Sequence, residues 1–155
     1  MDQGKHLLHY ERVVDTPPID THKLLLSEIW WKGGLPWIIS CWWPTKQVQP
    51  GSDPAGTGAV RQLPSWVQEE IVAGELGRFV EYRVKRSWLP LKYHHARVEF
   101  HALENDLNNA AETKTRVQWE IKFTASFGMY YFILPLFVVM INWLFLPKLK
   151  RACKQ

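Results

Sequence analysis

The chain has 155 residues, a length that predicts a single domain with a hydrophobic core of its own. Hydrophobic residues make up 46% of it and charged residues 22%, which is close to ordinary globular composition, so only the last 30 residues suggest a membrane. The net charge is +4, and four cations lie in the last eight residues, so the neutral remainder excludes a general nucleic-acid-binding surface.

The N-terminal part predicts one strand followed by two short helices. Residues 7–14 alternate in the manner of a strand, which ends before a Pro-Pro pair. Asp20 or Thr21 is then in position to cap a short helix, and a Gly-Gly pair ends that helix. Residues 35–40 predict a second short helix.

The middle of the chain predicts a run of antiparallel strands. In the clearest of them, Val117 and Trp119 share a face with further apolar residues while charged and polar residues occupy the other face. A Pro64-Ser65 turn joins the first two strands as a hairpin. The strands are predicted at 58–63, 66–73, 79–86, 93–103 and 116–123.

The C-terminal part contains 25 residues between Lys122 and Lys148 without an acidic or basic side chain. Residues 127–146 are long enough to span a bilayer, but they can equally form a helix that packs on the sheet. Cationic residues on both sides disfavour a single span and favour a helix that lies on a membrane or on a partner, including a second copy of the chain.

These elements predict an α+β fold. A curved antiparallel sheet of about seven strands carries two short helices, and a long C-terminal helix covers the concave face over a cavity. Residues 1–126 form the sheet and the short helices, and residues 127–155 complete what we expect to be one domain.

Five segments, in this order along the chain, resemble the strands of polyketide cyclase/dehydrase-like proteins. Residues 58–63 are similar to the G-x-x-R-x-L strand of these proteins, and residues 67–73 to the strand that follows it. Residues 78–84 are similar to the r-x-x-x-Y-x-v strand, and residues 89–98 to the P-L-x-x-Y-x-A-x-V segment. Residues 115–119 are similar to the near-terminal T-R-V-x-W. This resemblance implies the SRPBCC or START-like superfamily and its helix-grip fold. Its members range from aromatase/cyclase enzymes to lipid and hormone carriers, so the fold does not decide the function. The uncharged C-terminal helix, with Pro135 inside it, departs from that family pattern.

Strand alternation places four candidate catalytic residues on the inner face: His94, Glu69, Arg61 and Tyr82. Arg61 and Glu69 each lie four residues from Ser65 of the hairpin turn, so they are expected to be cross-strand neighbours. A buried imidazole or carboxylate is suited to proton transfer, and Arg61 or Tyr82 could hold an enolate oxygen. The alternative is a structural Arg61–Glu69 ion pair with Tyr82 and His94 as satisfied core or rim residues.

The same alternation predicts the ligand-binding residues. Asn142 joins them as the strongly polar residue of the apolar helix, and the full set is Trp119, Val117, Val84, Phe100, Arg86 and Asn142. A metal site is not expected, because His94 and His95 point to opposite faces and His101 lies six residues beyond His95. No cofactor is expected, since the chain has no glycine-rich phosphate loop.

The sequence therefore predicts a protein that binds a hydrophobic, aromatic or polyketide-like small molecule. Cofactor-free cyclisation, dehydration or isomerisation is the favoured activity. The alternatives are a non-catalytic lipid or small-molecule carrier that docks on membranes and a structural interaction module. Cys41 and Cys153 are far apart and no signal peptide precedes the first strand, which predicts a reducing, cytoplasmic compartment with a membrane contact through residues 127–146.

Overall fold

The computed structural model describes residues 6–31, 45–63, 67–87, 91–103, 114–125, 128, 131–132, 135 and 138–153. The strands are β1 (His6–Val14), β2 (Lys46–Gln49), β3 (Val60–Gln62), β4 (Gln68–Glu75), β5 (Phe79–Arg86), β6 (Leu91–Leu103) and β7 (Lys114–Ala125). Helix α1 spans Pro18–Leu24 and continues as the π-helical segment Leu25–Trp31. The π-helical segment Met140–Phe145 leads into helix α2, Leu146–Ala152, and the described residues of 128–139 are helical as well.

The described strands form one antiparallel sheet in the order β1-β7-β6-β5-β4-β3-β2. The first strand pairs with the last along its whole length, from His6 opposite Phe123 to Val14 opposite Thr115. Register shifts interrupt the β4–β5 ladder at Gln68/Glu69 and at Ile71/Ala73. Irregularities of this kind bend a strand and increase its twist, which suits a sheet that curves around a helical cover.

The hydrophobic core lies between the inner face of this sheet and the helices. Along β7 the buried positions alternate with polar ones, as the period of two in the sequence predicts. Phe145 stacks on Trp119 of β7 at a ring-centroid distance of 5.8 Å, which joins the C-terminal segment to the sheet. The helical residues that close the core are Leu25, Ile29, Trp30, Ile141, Phe145, Leu146 and Leu149. The predicted α+β fold, with its curved seven-stranded sheet and C-terminal helix, is confirmed.

The first helix begins earlier than the sequence predicted. Pro17 is the residue before the helix and Pro18 occupies its first position, where the fixed φ of proline suits a helix and its missing N–H is not needed. Thr21 lies inside the first turn, and its backbone N–H donates to the Pro17 carbonyl at 2.9 Å. Capping by Asp20 or Thr21 was therefore wrong. The predicted helix at 35–40 and the Pro64-Ser65 turn lie outside the described residues.

Threonine side chains tie the end of the C-terminal segment to the sheet. The hydroxyl of Thr16 donates to the carbonyl of Cys153 at 2.9 Å, and the hydroxyl of Thr115 on β7 donates to the carbonyl of Thr16 at 2.5 Å. Leu149 is fully buried beside them.

Among the residues described, none of the helices has the length and apolar character needed to cross a membrane.

Candidate functional site

Four adjacent strands each contribute one candidate catalytic side chain to the inner face of the sheet. Arg61 lies on β3, Glu69 on β4, Tyr82 on β5 and His94 on β6, and all four are buried. The backbone register sets Arg61 directly opposite Glu69, as the spacing around the hairpin predicted. Alternation along each strand, combined with antiparallel pairing, thus brings the four polar groups into one row beneath the helices.

Arg61 and Glu69 form a buried ion pair. The Nε and Nη2 atoms of Arg61 donate to Oε2 of Glu69 at 2.8 and 2.6 Å. Nη1 of Arg61 donates to the backbone carbonyls of Ile29 and Trp30, at 3.0 and 2.6 Å. A guanidinium has five N–H donors, and four are used within the described residues. Arg61 therefore ties the end of the π-helical segment Leu25–Trp31 to the sheet, which leaves it little capacity to hold a substrate oxygen.

Tyr82 is a neutral phenol at the centre of an aromatic cluster. Nε1 of Trp119 donates to its hydroxyl at 3.0 Å, and its ring meets that of Trp30 edge-on at a centroid distance of 5.2 Å. Burial, reinforced by the negative charge of Glu69, raises the pKa of Tyr82 far above its ordinary value. Because the hydroxyl accepts from Trp119 and stays protonated, its own O–H can serve as a hydrogen-bond donor.

The imidazole of His94 lies beside this phenol. The two ring centroids are 5.9 Å apart. Burial lowers the pKa of His94, and the charge of Glu69 opposes this effect only in part. The ring is therefore neutral at pH 7, and one of the two nitrogens of a neutral imidazole carries a lone pair that can take a proton.

Trp30 is a member of this cluster that sequence reasoning missed. The guanidinium carbon of Arg61 lies 4.0 Å from the centre of its ring. Its indole N–H is buried and has no acceptor among the described residues. An unsatisfied buried donor costs about 1–3 kcal/mol, so an acceptor on a bound molecule would stabilise this position. Trp30 belongs to a helical segment, where strand alternation carries no information, and no other signal marked it among nine tryptophans.

His22 is a second buried residue without a signal in the sequence. Its Nδ1 accepts a hydrogen bond from the backbone N–H of Gly77 at 3.1 Å, and its ring stacks on Phe100 at 4.8 Å. Accepting at Nδ1 places the ring proton on Nε2. Burial lowers the pKa of His22, and the backbone of Ala55 and the charge of Asp53 oppose this effect only in part. His22 thus packs as a neutral ring between α1 and the sheet.

The predicted ligand-binding residues divide into inner and outer positions. Trp119, Val117 and Phe100 are buried in the core, and Val84 is half-buried. Arg86, which was expected on the inner face near its rim, and Asn142 of the apolar helix are both exposed, so neither lies in the buried cluster. Strand alternation assigns Arg86 to the inner face of the sheet. It does not show how far along each strand the helices cover that face. Asn142 lies on the outward face of the C-terminal segment.

The remaining histidines of β6 with described side chains lie on the outer face of the sheet. His95 contacts Glu81 at 3.3 Å, and His101 contacts Glu99 at 3.1 Å. Within the described ranges, no group of three or more His, Cys, Asp or Glu side chains is arranged to hold a metal ion.

Comparison with known proteins identifies the fold and nothing finer. No family model matches the chain, and no curated protein matches it. Protein XoxI from Bacillus cereus has a similar structure, with a TM-score of 0.66 at 14% identity over 96% of each chain. Ara h 8.0201 matches with a TM-score of 0.62 at 13% identity, over 97% of this chain and 99% of that one. Norcoclaurine synthase from Thalictrum flavum, in complex with dopamine and hydroxybenzaldehyde, matches with a TM-score of 0.60 at 10% identity, over 97% of this chain and 85% of that one.

The last two of these neighbours are Bet v1-like proteins of the SRPBCC superfamily. The chain thus has the helix-grip fold that the sequence predicted. At 10–14% identity the likeness extends to the fold alone.

Proposed function

We propose that this protein binds a hydrophobic, aromatic or polyketide-like small molecule between its sheet and its C-terminal helix, and that it catalyses cofactor-free cyclisation, dehydration or isomerisation. One observation carries the proposal. The ring of Tyr82 lies beside both the neutral imidazole of His94 and the indole of Trp30, whose buried N–H has no acceptor in the described part of the chain. Donors and a base buried together among aromatic rings suit a ligand that is apolar but carries a carbonyl oxygen.

The surroundings support an aromatic ligand. Trp30 and Trp119 both meet the ring of Tyr82 edge-on, and Trp119 stacks on Phe145. Such rings offer flat apolar surfaces to another flat molecule. The neighbour from Thalictrum flavum has the same fold and was solved with dopamine and hydroxybenzaldehyde, both aromatic.

The chemistry follows from the protonation states. In the proposed reaction, His94 takes a proton from the carbon beside a substrate carbonyl, and the electron pair of that C–H bond becomes an enolate. The O–H of Tyr82 and the N–H of Trp30 donate hydrogen bonds to the enolate oxygen, where the negative charge develops. The enolate carbon can attack a second carbonyl of the same molecule and close a ring, and the imidazolium returns its proton to the new alkoxide. Arg61 and Glu69 act as positioning residues that hold the helical end and Trp30 in place.

The runner-up is a non-catalytic carrier of lipids or small molecules. It is favoured by the internal hydrogen bonds of Arg61 and Tyr82, which show that much of the polar cluster is already satisfied by the protein. A carrier needs the apolar site and its donors but no base. The two proposals therefore differ in the role of His94.

Exchange of carbon-bound hydrogen for deuterium tests the difference without knowledge of the natural substrate. Phenylacetone is incubated with the full chain in D₂O, and loss of its α-protons is followed by NMR. We expect clear acceleration over buffer, and a fall of roughly 10²-fold or more in His94→Gln, because general-base catalysis contributes that much. His95→Gln is the matched control, since His95 is the next residue on the opposite face of β6.

The other results separate the alternatives. Equal exchange in the wild type and in His94→Gln contradicts the assignment of the base. Absence of acceleration, together with binding of an apolar fluorescent dye and a co-purified lipid in native mass spectrometry, favours the carrier. Absence of dye binding, together with a stable protein partner on gel filtration, overturns both proposals in favour of an interaction module.

A further inference from the structure

The exposed residues described in the C-terminal segment are mostly apolar. Among the helical residues that the structure describes between 128 and 143, all except Met140 and Ile141 are exposed, and Asn142 is the strongly polar member of this exposed set. Phe132 and Trp143 have the most exposed side chains of this group, at 75% each. We call this the exposed stripe, and its large apolar members are Tyr131, Phe132, Val138, Val139 and Trp143.

The exposed stripe is not needed for the core. The buried residues described in the segment, Ile141, Phe145, Leu146 and Leu149, already pack against the rest of the core, and none of them belongs to the exposed stripe. A helix on the surface of a globular domain ordinarily has polar residues on its outward face. An apolar outward face of this length marks an interaction surface.

Positive charge continues the exposed stripe at its C-terminal end. Lys150 and Arg151 follow Trp143 by seven and eight residues, a spacing that keeps them on the same face of a helix. Arg151 is exposed. After Glu120 the sequence has no acidic residue and five basic ones, so residues 121–155 carry +5 while residues 1–120, with 14 basic and 15 acidic residues, carry −1.

We propose that the exposed stripe and the cations that follow it dock the protein on the surface of an anionic lipid bilayer, with the helix lying parallel to the membrane plane. Aromatic and aliphatic side chains enter the boundary between headgroups and acyl chains, and the lysine and arginine side chains contact the anionic headgroups. The segment lies on the membrane rather than across it, because Ile141, Phe145, Leu146 and Leu149 of the same segment are buried in the core. This surface is separate from the site around Tyr82, so the proposal does not rest on the proposed function.

Vesicle flotation with the full chain tests this proposal. Phosphatidylcholine vesicles are compared with vesicles that contain phosphatidylglycerol as an added anionic lipid. We expect preferential binding to the anionic vesicles and its loss at high salt, because each cation near the surface adds electrostatic attraction that salt screens. The double variant Lys150→Gln/Arg151→Gln should weaken binding to anionic vesicles by about tenfold or more.

The apolar contribution has a matched control. Phe132→Ser/Trp143→Ser should reduce binding to anionic vesicles at least tenfold, because it removes the two most exposed apolar side chains of the exposed stripe. Leu7→Ser/Val48→Ser removes two exposed apolar side chains from the edge strands β1 and β2 and should leave binding unchanged. Thermal unfolding of each variant verifies that it is folded.

Two outcomes would overturn the proposal. The first is wild-type binding that is equal for neutral and anionic vesicles and insensitive to salt, a result that requires no variant. The second is absence of vesicle binding by a protein that sediments as a dimer and becomes monomeric in Phe132→Ser/Trp143→Ser, which would assign the exposed stripe to a second copy of the chain.

Discussion

The indole N–H of Trp119 on β7 donates to the hydroxyl of Tyr82 on β5 at 3.0 Å, across the strand that separates them in the sheet. Both side chains are buried. The bond leaves the hydroxyl proton of Tyr82 free to point away from Trp119, so the same contact that supports the core also orients the proposed donor.

Removing the acceptor of this bond should destabilise the fold. Tyr82→Phe leaves the N–H of Trp119 buried without a partner, at a cost of about 1–3 kcal/mol in the free energy of unfolding. Trp119→Phe removes the donor and leaves a cavity. A double-mutant cycle by urea unfolding should give a coupling energy of about 0.5–3 kcal/mol between the two positions. If the losses of stability in the two single variants simply add in the double variant, the hydrogen bond between Trp119 and Tyr82 does not contribute to stability.

The ion pair between Arg61 and Glu69 should be sensitive to the loss of either partner. Glu69→Gln leaves a buried guanidinium without its counter-ion, which costs about 3–5 kcal/mol. The matched control is Glu75→Gln, since Glu75 pairs with Arg78 at 2.9 Å in an exposed ion pair. That change should cost less than about 1 kcal/mol. Chemical denaturation of both variants measures the free energy of unfolding. Equal losses of stability in the two variants would show that burial does not make the Arg61–Glu69 pair more important than the exposed pair.

Acidification should destabilise the protein between about pH 6.5 and the lowered pKa of its buried histidines. Burial lowers the pKa of His22 and of His94 in the folded state, so below pH 6.5 the unfolded state binds more protons than the folded state. Stability is therefore fully present above that pH and falls as the pH decreases, by up to about 1.4 kcal/mol per pH unit for each histidine.

Urea unfolding at pH 7.5, 6.5 and 5.5 measures this slope. His22→Asn should reduce the slope, because asparagine does not titrate and its side-chain oxygen can still accept from Gly77. His9→Asn is the control, since His9 is exposed on β1. A slope that is unchanged in His22→Asn would show that protonation of His22 is not coupled to unfolding.

The C-terminal segment should unfold together with the sheet, as part of the single domain that we propose. Leu149→Ala removes a fully buried side chain from α2 and should cost about 2–5 kcal/mol in one cooperative transition. Trp143→Ser, on the exposed face of the same segment, should change stability by less than about 1 kcal/mol. Circular dichroism and tryptophan fluorescence should report the same midpoint for Leu149→Ala. Two separate transitions would contradict the single domain.

Most of the strands, and the faces on which their side chains lie, could be predicted from local patterns in the sequence. Alternation along β7 predicted that Val117 and Trp119 are buried, because successive side chains of a strand point to opposite faces whatever the rest of the fold does. The spacing around the hairpin likewise predicted that Arg61 lies opposite Glu69, since antiparallel pairing preserves distance from the turn. These are local properties that need no knowledge of other elements.

Contacts between different elements, and the limits of the core, became visible in the folded protein. Trp30 and His22 lie on helical elements, and their contacts with Arg61 and with Gly77 depend on how those elements pack on the sheet. Arg86 lies on the predicted inner face and Asn142 on the predicted covering helix, yet both are exposed. Burial depends on packing between elements distant in sequence, whereas periodicity records only the direction of a side chain relative to its own backbone.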